Sequence, residues 1–154
     1  MKSIKEEKIK DILKKWDTEN WKEESSGKCS LHIYKEHKLD IREESCYSNH
    51  PSSSIFFRCR ANIIPLEDKN NFKTNGDVTC KECGAEREDL ELFLLHCPLS
   101  QDLRNNSRLF DQPYSENCVG QLLFENRENK EEIKNTIHQF WKRRERVRKE
   151  RAQP

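Results

Sequence analysis

The sequence predicts a mainly α fold: a small helical domain built around a CxxC turn and closed by a long, basic C-terminal helix. Three observations predict it. Apolar residues recur at helical spacing in several separate stretches, with Lys and Glu filling the positions between them. A Cys-Lys-Glu-Cys-Gly turn, Cys80 to Gly84, follows a polar, turn-rich stretch. The last helical stretch carries KRRERVRKER, Lys142 to Arg151, with seven basic residues against two acidic ones.

The 154 residues allow one compact domain with appendages. Hydrophobic residues make up 32% and charged residues 37%, well short of the roughly 45–50% apolar content usual in globular domains. The core must therefore be small, and such domains draw stability from disulfides, a metal or a partner chain. Seven cysteines, an odd number, with no leader-like start and no apolar run of membrane-spanning length, point to reduced thiols and an intracellular setting, nucleus or cytoplasm, with no membrane partner. The 29 basic residues nearly cancel the 28 acidic ones, so only the placement of charge is informative.

Residues 2 to 24 place Ile4, Ile9, Ile12, Leu13 and Trp16 on an amphipathic helix, broken by Ser25-Ser26-Gly27. CSLHIYKEHKL, from Cys29, fits helix or strand. After the loop around Pro51 a helix is expected from near Ser54, with Ile55, Phe56, Cys59 and Ile63 on its apolar face and an end before Pro65. Asn75-Gly76 favours a tight turn. Glu88 to His96 reads as a helix with a stripe of Leu90, Phe93, Leu94 and Cys97, stopped by Pro98. Ser100 caps a following segment that carries Leu103 and Phe110. DQPYSEN is a linker, Cys118 to Phe124 a short apolar piece, and Glu128 to about Arg151 a long helix with Ile133, Ile137, Phe140, Trp141 and Val147. The expected organisation is an N-terminal helix and linker (1–27), a knuckle-like module (28–110), and a linker with the basic helix (111–154).

Cys80 and Cys83, two residues apart and followed by Gly84, can aim two thiolates at one point, which is half of a tetrahedral zinc site. A thioredoxin-type redox pair is disfavoured because polar turns flank the motif on both sides, and two unrelated surface thiols remain an alternative. Cys97, beside Pro98, is a third ligand. His96 is the provisional fourth if the helix frays at Pro98; otherwise it interacts with the last helix carbonyls.

The order of these features resembles the C-terminal extension of reverse transcriptases from non-LTR retrotransposons, which includes a zinc-binding module after the polymerase. The resemblance runs from about Trp16 to Arg146. It rests on CSLHIY, IFFRCRANIIPL with its Arg-x-Arg, CKECG, the acidic EREDLE leading into LFLLHCPL, Arg104, and the closing IHQFWKRRERVRK. The resemblance implies a Cys-Cys-His-Cys zinc set to which Cys80, Cys83 and Cys97 correspond, with Leu92 standing at the histidine position. It also implies RNA or DNA as partner, with the rest of a reverse transcriptase as another. The polymerase's paired aspartates and the endonuclease are not in this chain, so a non-catalytic role is expected.

Other groups point to ordinary structure. Cys59 falls on an apolar face and is expected in the core. His32, His37, His50 and His138 lack companions at ligand spacing. No Gly-rich phosphate loop, Ser/His/Asp set or paired-carboxylate set stands out. The basic helix suits solubility and its own C-terminal dipole, yet seven cations in ten exceed that need. Arg58, Arg60, Lys142, Arg143, Arg144, Arg146 and Arg148 are therefore the expected phosphate contacts. The alternative is a structural or protein-interaction remnant of the element, docking through its apolar helices without affinity for nucleic acid.

Overall fold

A computed structural model describes residues 4–38, 44, 46–70, 76–110, 118–125 and 128–153. The fold is mainly helical, and among the described residues there is no strand. The expected Asn75-Gly76 turn and the DQPYSEN linker fall largely or wholly outside the described residues.

Helix α1 spans Ile4–Ser26 and α2 spans His32–His37, joined by a 3₁₀ turn at Cys29–Leu31, which settles the helix-or-strand choice for that segment. Helix α3, Pro51–Arg60, begins three residues before the expected Ser54. Proline at the first helical position lacks only an N–H that would be unpaired anyway, and the His50 ring Nδ1 accepts the Ser52 amide as the cap at 3.2 Å. Ile55, Phe56 and Cys59 are buried as expected, but Ile63 is exposed. The helix ends at Arg60 and Asn62 turns the chain through the left-handed region (φ 53°), so Ile64 and Leu66 enter the core in its place.

A short helix α4, Glu67–Asn70, precedes the cysteine turn. Glu88 and Asp89, expected to open a helix, are not helical; the chain coils only from Leu90 and then widens into a π-helical turn at Leu92–His96. The Cys97 amide donates to the Leu92 carbonyl at 2.7 Å, five residues back. Short helices α5 (Gln101–Asn105) and α6 (Cys118–Gly120) follow, and a second π turn at Gln121–Glu125 buries Leu122, Leu123 and Phe124.

Helix α7, Lys130–Ala152, is the central post. Glu131 and Glu132 in its first turn and Lys149 and Arg151 in its last complement the helix dipole. Ile133, Ile137, Phe140 and Trp141 form its buried stripe, packed against α3 and the Leu92–His96 turn; Phe93 meets Phe140 and Trp141 edge to face, with centroids 6.3 and 6.2 Å away. The C-terminal helix is thus part of the same core as α3 and the cysteine segment rather than an appendage after residue 110. Each such fully buried apolar side chain contributes about 1.5–3 kcal/mol of transfer free energy.

Candidate metal centre and its basic clamp

The cysteine turn is built by backbone bonds. The Gly84 amide donates to the Cys80 carbonyl at 2.8 Å and the Cys80 amide to the Ala85 carbonyl at 2.9 Å. Gly84 sits at φ 76°, a conformation that glycine adopts without a Cβ penalty. The Glu88 amide donates to the Val78 carbonyl at 2.7 Å, closing the loop at its base.

This folding brings Cys80, Cys83 and Cys97 together, with their sulfurs all within 4.8 Å of one another. None is in a disulfide. Cys80 and Cys97 are buried and Cys83 is exposed. Three thiols converging at that range suit a soft, tetrahedral cation. Burial pushes the Cys80 and Cys97 thiols above the ordinary thiol value, so in the absence of a cation they hold their protons. A cavity of about 10 Å³ lies beside Cys80 and Cys97, bordered by Glu82, Glu88 and Arg144; this is about the least that admits one water-sized guest.

His96 does not join the sulfurs. Its side chain is 57% exposed and its Nε2 lies 3.5 Å from a Glu91 carboxylate oxygen. Cys97 leaves the helical conformation (ψ 121°), so the adjacent side chains diverge rather than converge. A carboxylate oxygen beside the thiols comes instead from Glu82, inside the CxxC loop, whose Oε2 is 3.3 Å from the Cys80 sulfur. Burial works to raise the Glu82 pKa, but hydrogen bonds from Arg148 and Cys80 and the charges of Arg148 and Arg144 outweigh it and hold the carboxyl below its usual range.

The basic helix is the other half of this site. Arg144, 3% exposed, pairs with the buried Glu88 through two parallel bonds, while Glu88 Oε2 also accepts the Glu67 amide at 2.8 Å. Arg148 donates to Glu82 at 2.9 Å, to Glu88 at 3.3 Å and to Glu67. Arg151 donates to the Lys81 carbonyl. These three arginines, at i, i+4 and i+7, form one stripe of α7 that clamps the cysteine turn. Arg104, also buried, donates to the Cys97 and Leu94 carbonyls and fixes the end of the π turn.

The expected phosphate contacts divide accordingly. Arg60, 2% exposed, donates to Glu44 at 2.7 Å and to the Tyr47 hydroxyl at 2.6 Å, with its guanidinium 4.0 Å from the Phe124 ring centroid. Arg60 and Arg144 are therefore internal, and neither presents its cation to a phosphate. Arg143 is engaged by Asp102 and the Leu99 carbonyl, and Arg148 by three carboxylates. Arg58, Lys142 and Arg146 face outward. Lys149 joins them on α7, completing an outward stripe Lys142, Arg146, Lys149 with the same i, i+4, i+7 spacing as the inward one. Sequence reasoning missed Lys149, Arg151 and the acidic receivers Glu67, Glu82 and Glu88. The available signal was that the tail's cations fall on two interleaved helical stripes.

The remaining residues are structural. Cys59 is fully buried, where burial raises its thiol pKa strongly. His50 caps α3, and His37 stacks on Phe124 at 5.5 Å beside Gly120. Among the described residues no helix is long and apolar enough to cross a membrane.

No protein-family model matches the chain, and no curated protein or solved structure matches it either.

Proposed function

We propose that this chain is a non-catalytic nucleic-acid-binding module of the retrotransposon reverse-transcriptase type, intracellular in the nucleus or cytoplasm, whose fold is stapled by a zinc ion on Cys80, Cys83 and Cys97. The convergence of three unpaired cysteine sulfurs within 4.8 Å carries this reading. A bound zinc would supply structural cross-linking between the turn and the Leu92–His96 segment. Glu82 or water completes the coordination, and the guanidinium groups of Arg144 and Arg148 offset the negative charge of the thiolates. RNA or DNA lies along the outward cations Lys142, Arg146 and Lys149, with Arg58 contributing, and the rest of a reverse transcriptase is the protein partner that the resemblance implies.

Metal analysis of protein purified without added zinc tests the staple. One equivalent of zinc is expected, retained in His96→Ala and lost in Cys80→Ser; an apo protein, or loss with His96→Ala, overturns this assignment. Titrating labelled RNA and DNA across a salt series tests the partner. Four phosphate contacts give a slope of log K against log salt of about −3.6 for duplex DNA and about −2.8 for single strands; absent binding at low salt sinks the reading.

The second reading, a protein-interaction module, is favoured by one observation: the apolar stripe of α1 is exposed.

A further inference from the structure

We propose that α1 is a self-association helix, two copies of the chain pairing antiparallel through Ile9, Ile12, Leu13 and Trp16. The proposal rests on neither the metal nor the nucleic acid.

These four side chains are 57%, 67%, 54% and 60% exposed, although they lie at i, i+3, i+4 and i+7, the spacing of a helix face meant for burial. Every residue from 6 to 17 is exposed. The helix is held near its C-terminal end, where Trp21 meets Tyr34 with centroids 6.1 Å apart, Ser25 is buried, and Lys35 donates to the Ser26 carbonyl at 3.1 Å. A lone helix with few tertiary contacts is marginal in water, and a contiguous apolar patch on it marks an interaction site.

The occupant is read from symmetry and charge. The midpoint of the stripe falls between Ile12 and Leu13, so in an antiparallel pair related by a two-fold axis Ile9 of one copy lies across from Trp16 of the other. The stripe is complementary to itself, as an isologous interface requires. The charges agree. Residues 4–15 hold five lysines against three acids, while residues 16–26 hold four acids against one lysine. Beyond the first turn this polarity opposes the macrodipole of the helix, whose last turn carries no basic residue. It does not serve the isolated helix, but it does serve an antiparallel copy: Lys8 and Glu19 flank the same edge of the stripe and meet across the pair, whereas parallel pairing sets lysines on lysines. The four side chains from two copies offer on the order of 1,000 Å², the lower bound of a specific interface, so association in the micromolar range is expected.

Sedimentation of the full chain from micromolar to submillimolar concentration tests the proposal. A reversible dimer is expected. Leu13→Glu should weaken it more than tenfold while leaving the thermal transition of the remaining fold in place. Lys8→Glu and Glu19→Lys should each weaken it, and the double variant should recover most of the loss. A monomer at every concentration overturns the proposal and leaves the stripe to a different protein; a dimer indifferent to Leu13→Glu overturns the surface; failure of the charge-swapped double variant to recover overturns the antiparallel arrangement.

Discussion

Arg144 holds Glu88 through two parallel hydrogen bonds, Nε to Oε1 at 2.6 Å and Nη2 to Oε2 at 2.7 Å, with both side chains buried. The pair joins the C-terminal helix to the base of the cysteine turn. Removing Arg144 leaves the buried Glu88 with the longer 3.3 Å contact to Arg148, and neutralising Glu88 leaves the buried Arg144 without its carboxylate; either costs more than the pair itself contributes. Arg144→Met and Glu88→Gln should each lose about 3–5 kcal/mol in urea unfolding. Arg144→Met combined with Glu88→Leu should recover part of that loss, because no charge of the pair then remains buried alone.

The two stripes of α7 should separate in experiment. Arg146→Ala, on the outward side, should leave the melting temperature within a degree or two and reduce the salt slope for nucleic acid by about 1. Arg148→Ala, on the inward side, should lower the melting temperature by several degrees. Fluorescence anisotropy and thermal unfolding of the two proteins distinguish the roles.

Glu44 gives the fold a defined acid limb. Burial opposes its ionisation, but hydrogen bonds from Arg60, Lys38 and Lys130 lower its pKa from 4.5 to about 2. A carboxyl depressed in the folded state contributes stability that is fully present above the unfolded value and disappears as pH falls through the folded one. Stability should therefore decline between about pH 4.5 and 2, by about 3 kcal/mol from this group. In Glu44→Gln, urea unfolding should show a flatter pH dependence over that window and a lower stability above it.

Gly120 lies against the His37 ring, where an added Cβ would overlap the imidazole. The ring is stacked on Phe124 and cannot withdraw without disturbing that contact. Gly120→Ala should destabilise by about 1–3 kcal/mol despite alanine's higher helix propensity. Gly120→Ala with His37→Ala should relieve most of the overlap, read by the unfolding midpoint.

Leu92 and Cys97 are joined across the π turn, so position 92 stands one full turn before the third sulfur. On a regular α-helix the two would be rotated about 140° apart. Leu92→His should therefore add a nitrogen ligand. With cobalt in place of zinc, its visible spectrum should shift from a three-sulfur to a three-sulfur, one-nitrogen pattern, and metal affinity should rise at least tenfold. An unchanged spectrum would show that the turn does not bring position 92 to the ion.

The helices were readable because burial leaves a periodic trace: Ile133, Ile137, Phe140 and Trp141 announce the inner face of α7 through spacing alone. Two of the three sulfurs were readable because the CxxC spacing dictates a turn, and the third, Cys97, because Pro98 ends the helix beside it. Cation destinations were not. Arg144 and Arg148 find carboxylates 56 to 81 residues away in sequence; helical spacing sets them on a different stripe from the exposed Lys142 and Arg146, but nothing local names the carboxylates that receive them. The π turn was equally hidden, since Leu90, Phe93 and Leu94 satisfy an α-helical stripe just as well. His96, expected as a ligand only if the helix frayed at Pro98, points to Glu91 instead because Cys97 leaves the helical conformation directly after it.

The inward arginines also set how short the protein can be made. Arg148 and Arg151 lie in the last two turns of α7 and reach Glu82 and the Lys81 carbonyl. A recombinant product ended at Val147, to discard what reads as a frayed, charged tail, would lose both and uncover the loop that carries Cys80 and Cys83. Expression boundaries and protease trimming at this end act on the cysteine turn as directly as a substitution inside it.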